Sequence, residues 1–238
     1  VHATLEPSGL TRLDCAFTQV PCTVQEDVTF PQEDIRFDNG EMQLTINVRT
    51  GLVDHYTAAG VEYVSNGAFA PVLYQDSPDP WYMEKNCFPQ KLGVFALTEA
   101  RRAHRYSDGA EILVPAVRIV ENGAVRMLVE AEFIWGRSRL VQTYCLPKAG
   151  TSFEIMQDIF WNEADTMLKL EIPAAFKGDY LGQGMFGSGS LPQDGTECVS
   201  QKWCGLFGEK HALTICNSGI YGSHCVGSTI SLSLLRAS

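Results

Sequence analysis

The sequence is poor in the features that mark metal sites, membrane spans, disulfide scaffolds and helical domains. Its five histidines, His2, His55, His104, His211 and His224, are dispersed with no H-x-H or H-E-x-x-H spacing, so no metal site is expected from this chain alone. No segment approaches the roughly 18 uninterrupted apolar residues of a membrane span, and the first residues lack the basic start and apolar stretch of a secretory leader. The chain opens at Val1 without a methionine, as a fragment or a processed product would. Positive charge is scarce: 18 Lys plus Arg face 28 Asp plus Glu, a net charge of −10 that disfavours nucleic acid or an anionic membrane as partner and suits a neutral or cationic ligand. The eight cysteines (Cys15, Cys22, Cys87, Cys145, Cys198, Cys204, Cys216 and Cys225) include no C-x-x-C pair and are spread through a chain too large to need staples. Cys145 and Cys216 follow Tyr144 and Ile215 in strand-like apolar positions, where a free thiol acts as a small hydrophobe. Reduced core cysteines and a cytoplasmic, bacterial setting are therefore expected. Nor is there an apolar stripe of helical period, so helices are not expected.

Alternation and turns are what the chain does have. At 238 residues and 45% hydrophobic content it can bury a full core. Met42, Leu44, Ile46 and Val48 alternate with Gln43, Thr45, Asn47 and Arg49, the pattern of a strand with one buried and one wet face. Turn pairs recur at Asn39-Gly40, Thr50-Gly51, Asn66-Gly67, Asp108-Gly109, Asn122-Gly123, Ala149-Gly150, Asp194-Gly195 and Ser218-Gly219. Val117 to Val120 is expected to pair with the alternating run from Val125 to Phe133 across Glu121-Asn122-Gly123. Phe153 to Trp161 and Met167 to Ile172 read as further strands. The fold class is thus all-β: a large antiparallel sandwich. Residues 1–28 read as short strands and loops, the end of a preceding small β segment or a linker, with the main domain over 29–238.

Several motifs suggest chemistry. The apolar run from Pro71 to Tyr74 delivers Asp76, Asp79 and Trp81 onto a loop that Pro78 and Pro80 keep out of helix and central sheet. Carboxylates beside an indole suit polyols. Retaining glycoside chemistry needs two carboxyl groups about 5 to 5.5 Å apart, yet two acids three residues apart on a surface loop are more often solvated, so Asp76 and Asp79 are read as lining a sugar site rather than as catalysts. Gly182-Gln183-Gly184-Met185-Phe186-Gly187 matches G-x-G-x-x-G, but a second glycine cluster and Pro192 follow where a dinucleotide site needs a helix. A glycine-rich surface loop is the better reading. Ser188 is not a nucleophile elbow, because Phe186 stands where that motif demands glycine. Trp203 and Tyr221 belong to a second aromatic and polar cluster that could stack on a pyranose ring, or could be core.

Taken in order, IRFDNGEMQLTINVRTGLV from Ile35, VLYQDSPDPW from Val72, DIFWNEADTMLKLEIP from Asp158, ECVSQKWCGL from Glu197, ALTICNSGIYG from Ala212 and the terminal LSLLRAS resemble the large C-terminal β-domain of glycoside hydrolase family 38, the α-mannosidases. The resemblance covers about residues 30 to 238. It implies a galactose mutarotase-like β-supersandwich that follows a zinc-dependent α/β catalytic domain and a three-helix bundle in an enzyme releasing terminal α-linked mannose with retention. The zinc ligands and the aspartate nucleophile of that family belong to the N-terminal domain. The resemblance therefore assigns no catalytic residue, no metal ligand and no cofactor to these residues, and implies a fragment inactive by itself. Asp76, Asp79, Trp81, Trp203 and Tyr221 become the substrate-proximal candidates, with the loop from Asp76 to Trp81 and the glycine loop at 182–190 nearest the mannose.

The sequence departs from the family pattern in three places. Tyr82 follows the tryptophan where bacterial members carry an acid, Gly189 to Glu197 holds no basic residue where an arginine is usual, and Ile220 replaces a lysine before Tyr221-Gly222. The expected partners are the chain's own N-terminal catalytic domain and an α-mannoside carbohydrate, with a homo-oligomer as a further option, and neither nucleic acid nor membrane. The alternatives are a stand-alone aldose epimerase, for which His104 and Asp158 are the acid and base to nominate, and a carbohydrate-binding module acting through Trp81 and Trp203.

Overall fold

The computed structural model describes residues 3–16, 31–79, 86–105 and 108–237. The expected boundary between residues 28 and 29 and the indole of Trp81 lie outside the described residues. Residues 3–16 contain a turn from Glu6 to Gly9 and none of the short strands expected there. The rest is all-β: 21 strands, numbered here in chain order, and no helix among the described residues.

Ile35–Asp38 (β1), Met42–Ile46 (β2), Val53–Ala58 (β3) and Val61–Glu62 (β4) form a four-stranded meander. A six-stranded sheet holds Ala70–Gln75 (β5), Lys91–Val94 (β6), Thr166–Pro173 (β14), Cys198–Val199 (β17), Gly222–Val226 (β20) and Thr229–Ala237 (β21), in the spatial order β17-β20-β21-β14-β5-β6. A five-stranded sheet contains Ala96–Leu97 (β7), Val117–Asn122 (β10), Arg126–Trp135 (β11), Ser138–Pro147 (β12) and Glu154–Phe160 (β13). Asp179–Gln183 (β15), Ser188–Ser190 (β16), Trp203–Phe207 (β18) and Ala212–Cys216 (β19) make a second four-stranded sheet, and Arg101–His104 (β8) pairs with Glu111–Val114 (β9). Every strand pairing is antiparallel.

The turn pairs seen in the sequence do the work their chemistry allows. Asn39 and Gly40 join β1 to β2, with Gly40 at φ 87°, and the Asn39 amide donates to the carbonyls of Pro147 and Gly150 at 3.0 and 2.9 Å, fastening this hairpin to the end of β12. The hairpin expected across Asn122-Gly123 is present as β10 and β11. Inward residues of the meander (Phe37, Leu44, Ile46, Tyr56), of the five-stranded sheet (Val129, Ala131, Phe133, Leu140, Tyr144) and of one face of the six-stranded sheet (Leu73, Leu168, Leu170, Ile172, Ile230) share a single core. Among the cysteines, Cys204 and Cys225 are buried, whereas Cys216 is exposed at the end of β19, contrary to its expected core position, because it falls on the solvent side of the alternation.

A buried polar chain ties these layers together. Tyr144 donates to the Gly51 carbonyl at 2.8 Å and accepts from the Gln142 amide at 2.6 Å; Gln142 also donates to the Phe69 carbonyl and accepts from Gln157. Burial drives the Tyr144 hydroxyl far above the ordinary phenol range, so it remains a donor.

Tyr144→Phe leaves the Gly51 carbonyl and a Gln142 proton without partners in the core and should lower unfolding free energy by about 1 to 3 kcal/mol in a denaturant titration. Gly51 sits at φ +72°, and a Cβ there would stand 2.7 Å from Leu97 and 2.9 Å from Phe133. Gly51→Ala therefore combines a left-handed backbone with overpacking and should cost about 2 to 4 kcal/mol by the same titration.

Candidate functional site

The central strands β14 and β5 of the six-stranded sheet are buried on both faces. One side of β14 sends Leu168, Leu170 and Ile172 into the main core, and the other presents Met167, Lys169 and Glu171 beside Val72 and Tyr74 of β5. Lys169 is 0% exposed. Its ammonium donates to Glu197 Oε2 at 2.5 Å, to Ser233 Oγ at 2.8 Å and to His224 Nδ1 at 3.0 Å. Ser233 in turn donates to Glu197 Oε1. An ammonium has three protons and no lone pair, so this arrangement saturates it and fixes Nδ1 of His224 as an acceptor. The rings of Phe88 and Tyr74 close over the charge, with centroids 5.4 and 5.8 Å from Nζ.

Electrostatics follow from the burial. Desolvation pulls the Lys169 ammonium below its ordinary value, and Glu197 opposes that pull. Burial alone would raise Glu197, but His224, Lys169 and Ser233 together hold it below the usual carboxylate value. Beside them Tyr74 donates to Glu171, which also pairs with Lys91. Burial, then Glu171, pushes the Tyr74 hydroxyl far upward. Lys169 lies in the DIFWNEADTMLKLEIP segment and Glu197 opens ECVSQKWCGL, but neither segment marks its charge as buried, and His224 falls in no motif.

Both ends of the loop that leaves β5 are fastened to this same face. Asp76 is 6% exposed, and its carboxylate takes a two-pronged contact from Arg236 of β21 and caps the amide of Ser77. Arg236 also reaches the Ser77 hydroxyl and the Asp79 carbonyl. At the far end Cys87 bridges to Thr196, the Asn86 carbonyl accepts from the Glu197 amide, and Phe88 caps Lys169. Asp76 is thus a strut whose oxygens are engaged by its own chain, while Asp79 lies further out on the loop.

The aromatic candidates come together elsewhere on that side. Loops 183–188, 199–203 and 217–222 are stitched by Gln201 N to Gln183 O at 2.9 Å, Lys202 N to Gln183 Oε1 at 2.9 Å, Ser200 N to Tyr221 O at 3.0 Å and Asn217 N to Lys202 O at 2.9 Å. Trp203 is half-buried with its ring 5.8 Å from that of Phe207. Tyr221 is exposed, under the Lys202 ammonium at 5.6 Å. The glycine loop turns tightly between β15 and β16, closed by Gly184 N to Gly187 O, and lifts Met185 and Phe186 into solvent, Phe186 being 99% exposed. It opens no helix.

Other constellations do not assemble. His104 lies on β8 and Asp158 on the edge strand β13, both exposed and in different sheets. A shallow polar hollow of about 450 Å³ lies over the meander, lined in part by Arg36, Thr45, His55 and Glu62, and holds none of the candidates. Among the described residues no group of three His, Cys, Asp or Glu side chains could hold a metal ion, so the zinc that the resemblance implies has no ligand set there. No helix among the described residues is long and apolar enough to cross a membrane.

Comparison with known proteins adds to this geometry. The family model for the glycosyl hydrolases family 38 C-terminal domain matches residues 37–238. Two solved structures share the fold. A glycosyl hydrolase family 38 protein from Enterococcus faecalis aligns with a TM-score of 0.61 at 10% identity, over 85% of this chain and 26% of that one. An α-mannosidase from Enterococcus faecalis V583 aligns with a TM-score of 0.62 at 11% identity, again over 85% and 26%. The chain therefore spans about a quarter of the length of either protein. No curated protein matches it. With the match running from the first long strand to the last residue, the chain belongs to glycoside hydrolase family 38, as its C-terminal domain.

Proposed function

We propose that this chain is the non-catalytic β-supersandwich of a retaining α-mannosidase: it packs on a zinc-dependent catalytic domain, helps to close the mannose site and has no activity alone. The observation that carries the reading is the match to the family's C-terminal domain over residues 37–238, in a chain about a quarter as long as its structural neighbours. Two features of the fold support it. The charged groups that could do acid and base chemistry, Lys169, Glu197 and His224, are sealed beneath Phe88 and Tyr74 and offer no seat for a sugar. The stitched loops, by contrast, present exposed apolar side chains at Phe186, Met185, Val199 and Tyr221, the composition of an interface anchor. In this reading the zinc and the attacking carboxylate reside on the catalytic domain, and the segment before residue 29 is the link to it.

Trp203, Tyr221 and the loop holding Asp79 and Trp81 are the residues nearest the sugar, with Asp76 setting the base of that loop. The enzyme is cytoplasmic and degrades mannosides. A stand-alone epimerase or a carbohydrate-binding module is the other reading of the same fold.

Purified alone, the chain should release no product from an aryl α-mannoside with or without added zinc; turnover at a rate that survives repurification would refute the division of labour. Polarimetry on fresh galactose should show no acceleration of mutarotation, which separates the epimerase. Within the intact mannosidase, Phe186→Ser combined with Met185→Ser should lower kcat/KM about tenfold, the loss of one anchor worth about 1.4 kcal/mol. The melting temperature of the isolated chain should not move.

A further inference from the structure

One sheet edge lacks the devices that keep strands from pairing with strangers. Strand β13 closes one side of the five-stranded sheet: it pairs with β12 over seven positions in unbroken register, and among the described residues no backbone is hydrogen-bonded to its outer side. Exposed edges are normally kept short, bulged, or interrupted by proline or lysine. The other edges here are short or bulged. Strands β4, β7 and β17 have two residues, β16 three, β1, β6, β8 and β9 four and β19 five, and the six residues of β10 are broken by a shift of register between Ile119 and Glu121. By contrast β13 runs for seven residues, EIMQDIF, with no proline, glycine, lysine or bulge. It offers an edge about 24 Å long.

Both faces of the sheet carry apolar side chains up to this edge. On the inner face Ile155 and Ile159 are partly buried against the main core, and Gln157 between them donates to Gln142 Oε1 at 2.7 Å. On the outer face Met156 is 46% and Phe160 65% exposed, alternating with Glu154 and Asp158. The inner apolar row therefore stops half-covered, and the outer one stands in solvent beside two acids.

We propose that β13 is a dimerisation edge whose occupant is the β13 of a second copy of this chain, paired antiparallel about a two-fold axis through Gln157. The inference goes beyond the mannosidase reading and does not depend on it. On such an axis the contact is isologous, and each pair of facing residues occurs twice. Ile155 then faces Ile159 of the second copy, so the inner apolar row continues across the junction. The two Gln157 side chains meet at the axis, each with an amide proton and a carbonyl not used toward Gln142. On the outer face Met156 meets Asp158 and Glu154 meets Phe160. No acid stands opposite an acid, which matters in a chain of net charge −10. Arg139, 57% exposed and the cross-strand partner of Phe160, falls in the same transverse row as Glu154 of the second copy, a cation facing an anion across the phenyl ring. Charge also selects the register. A slip of two residues one way sets Glu154 opposite Asp158, and a slip the other way sets Asp158 opposite itself, so the pairing centred on Gln157 is the one that avoids both.

Sedimentation velocity of the whole chain from about 1 to about 300 µM should show monomer passing to dimer, with a dissociation constant in the micromolar range that suits a small interface. Met156→Asp sets an acid opposite Asp158 twice in each dimer and should raise that constant at least about tenfold. Met156→Lys sets a lysine opposite Asp158 twice and should leave the constant equal or lower. Both changes fall on a side chain half open to solvent, and circular dichroism of dilute samples checks that the monomer keeps its fold. Met185→Ser combined with Phe186→Ser, on the far loops, should leave association as it is. A chain still monomeric at the highest concentration, equal weakening by M156D and M156K, association indifferent to both, or loss of the dimer in the double serine variant would each overturn the proposal.

Discussion

One buried ammonium organises half of this fold. Lys169 stands in the middle of the longest-paired region of the six-stranded sheet, and a charge taken that far from water survives only where all its protons are received. Its acceptors come from three directions in the sequence: Ser233 and His224 from the last two strands, and Glu197 from the segment that precedes them. The covering rings come from a fourth, at Tyr74 and Phe88. Removing any one partner leaves a charge that the apolar surroundings cannot solvate, so the requirement to satisfy Lys169 is also a requirement that the C-terminal strands, the 194–200 segment and the long loop meet at one place.

That requirement explains why the described ends of the loop that leaves β5 are both pinned. Asp76 answers Arg236 at one root, and Cys87 and Phe88 lie against Thr196 and Lys169 at the other. The same sheet face thus carries two ion-paired anchors, on β14 and β21. Fixing the roots of a loop is one way in which a rigid scaffold positions residues for binding.

Much of the architecture was legible because antiparallel hairpins are local. Asn39-Gly40 and Thr50-Gly51 place their glycines at positive φ, which few residues tolerate, and these two turns and Asn122-Gly123 each join the strands their flanking alternation marks out. The cluster at Lys169 was not legible for the opposite reason. Met167 to Ile172 alternates Leu-Lys-Leu-Glu-Ile, which reads as one wet face, and a wet face is the ordinary fate of lysine in a strand. Here a loop and an edge strand cover that face, and the partners lie 28, 55 and 64 residues away. The partner of Asp76 was hidden in the same way: spacing shows that a carboxylate is on a loop, not that an arginine from the last strand meets it there. Trp203, the first residue of β18, and Tyr221, in the turn into β20, were nominated on residue type, and the segments that hold them are near neighbours because the hairpin of β18 and β19 and that turn are consecutive in the chain.

The placement of the ionisable groups fits the supporting role proposed above. A catalytic acid or base must reach a reacting atom; among the described residues Glu197 and His224 engage Lys169, Ser233 and one another. Such a cluster contributes little net stability compared with apolar packing, since desolvation offsets most of its Coulomb energy. What it supplies is uniqueness: a Leu in place of Lys169 would tolerate several arrangements of the strand edge, whereas an ammonium with three acceptors tolerates one. A domain whose outer loops must meet a second surface benefits from that single arrangement, because each loop displaced on contact adds to the cost of binding. The hydrogen bonds that stitch 183–188, 199–203 and 217–222 together serve the same end on the exposed side. Buried charge at the sheet and stitched backbone at the tip are two solutions to one constraint, holding non-repetitive segments still without a helix to carry them.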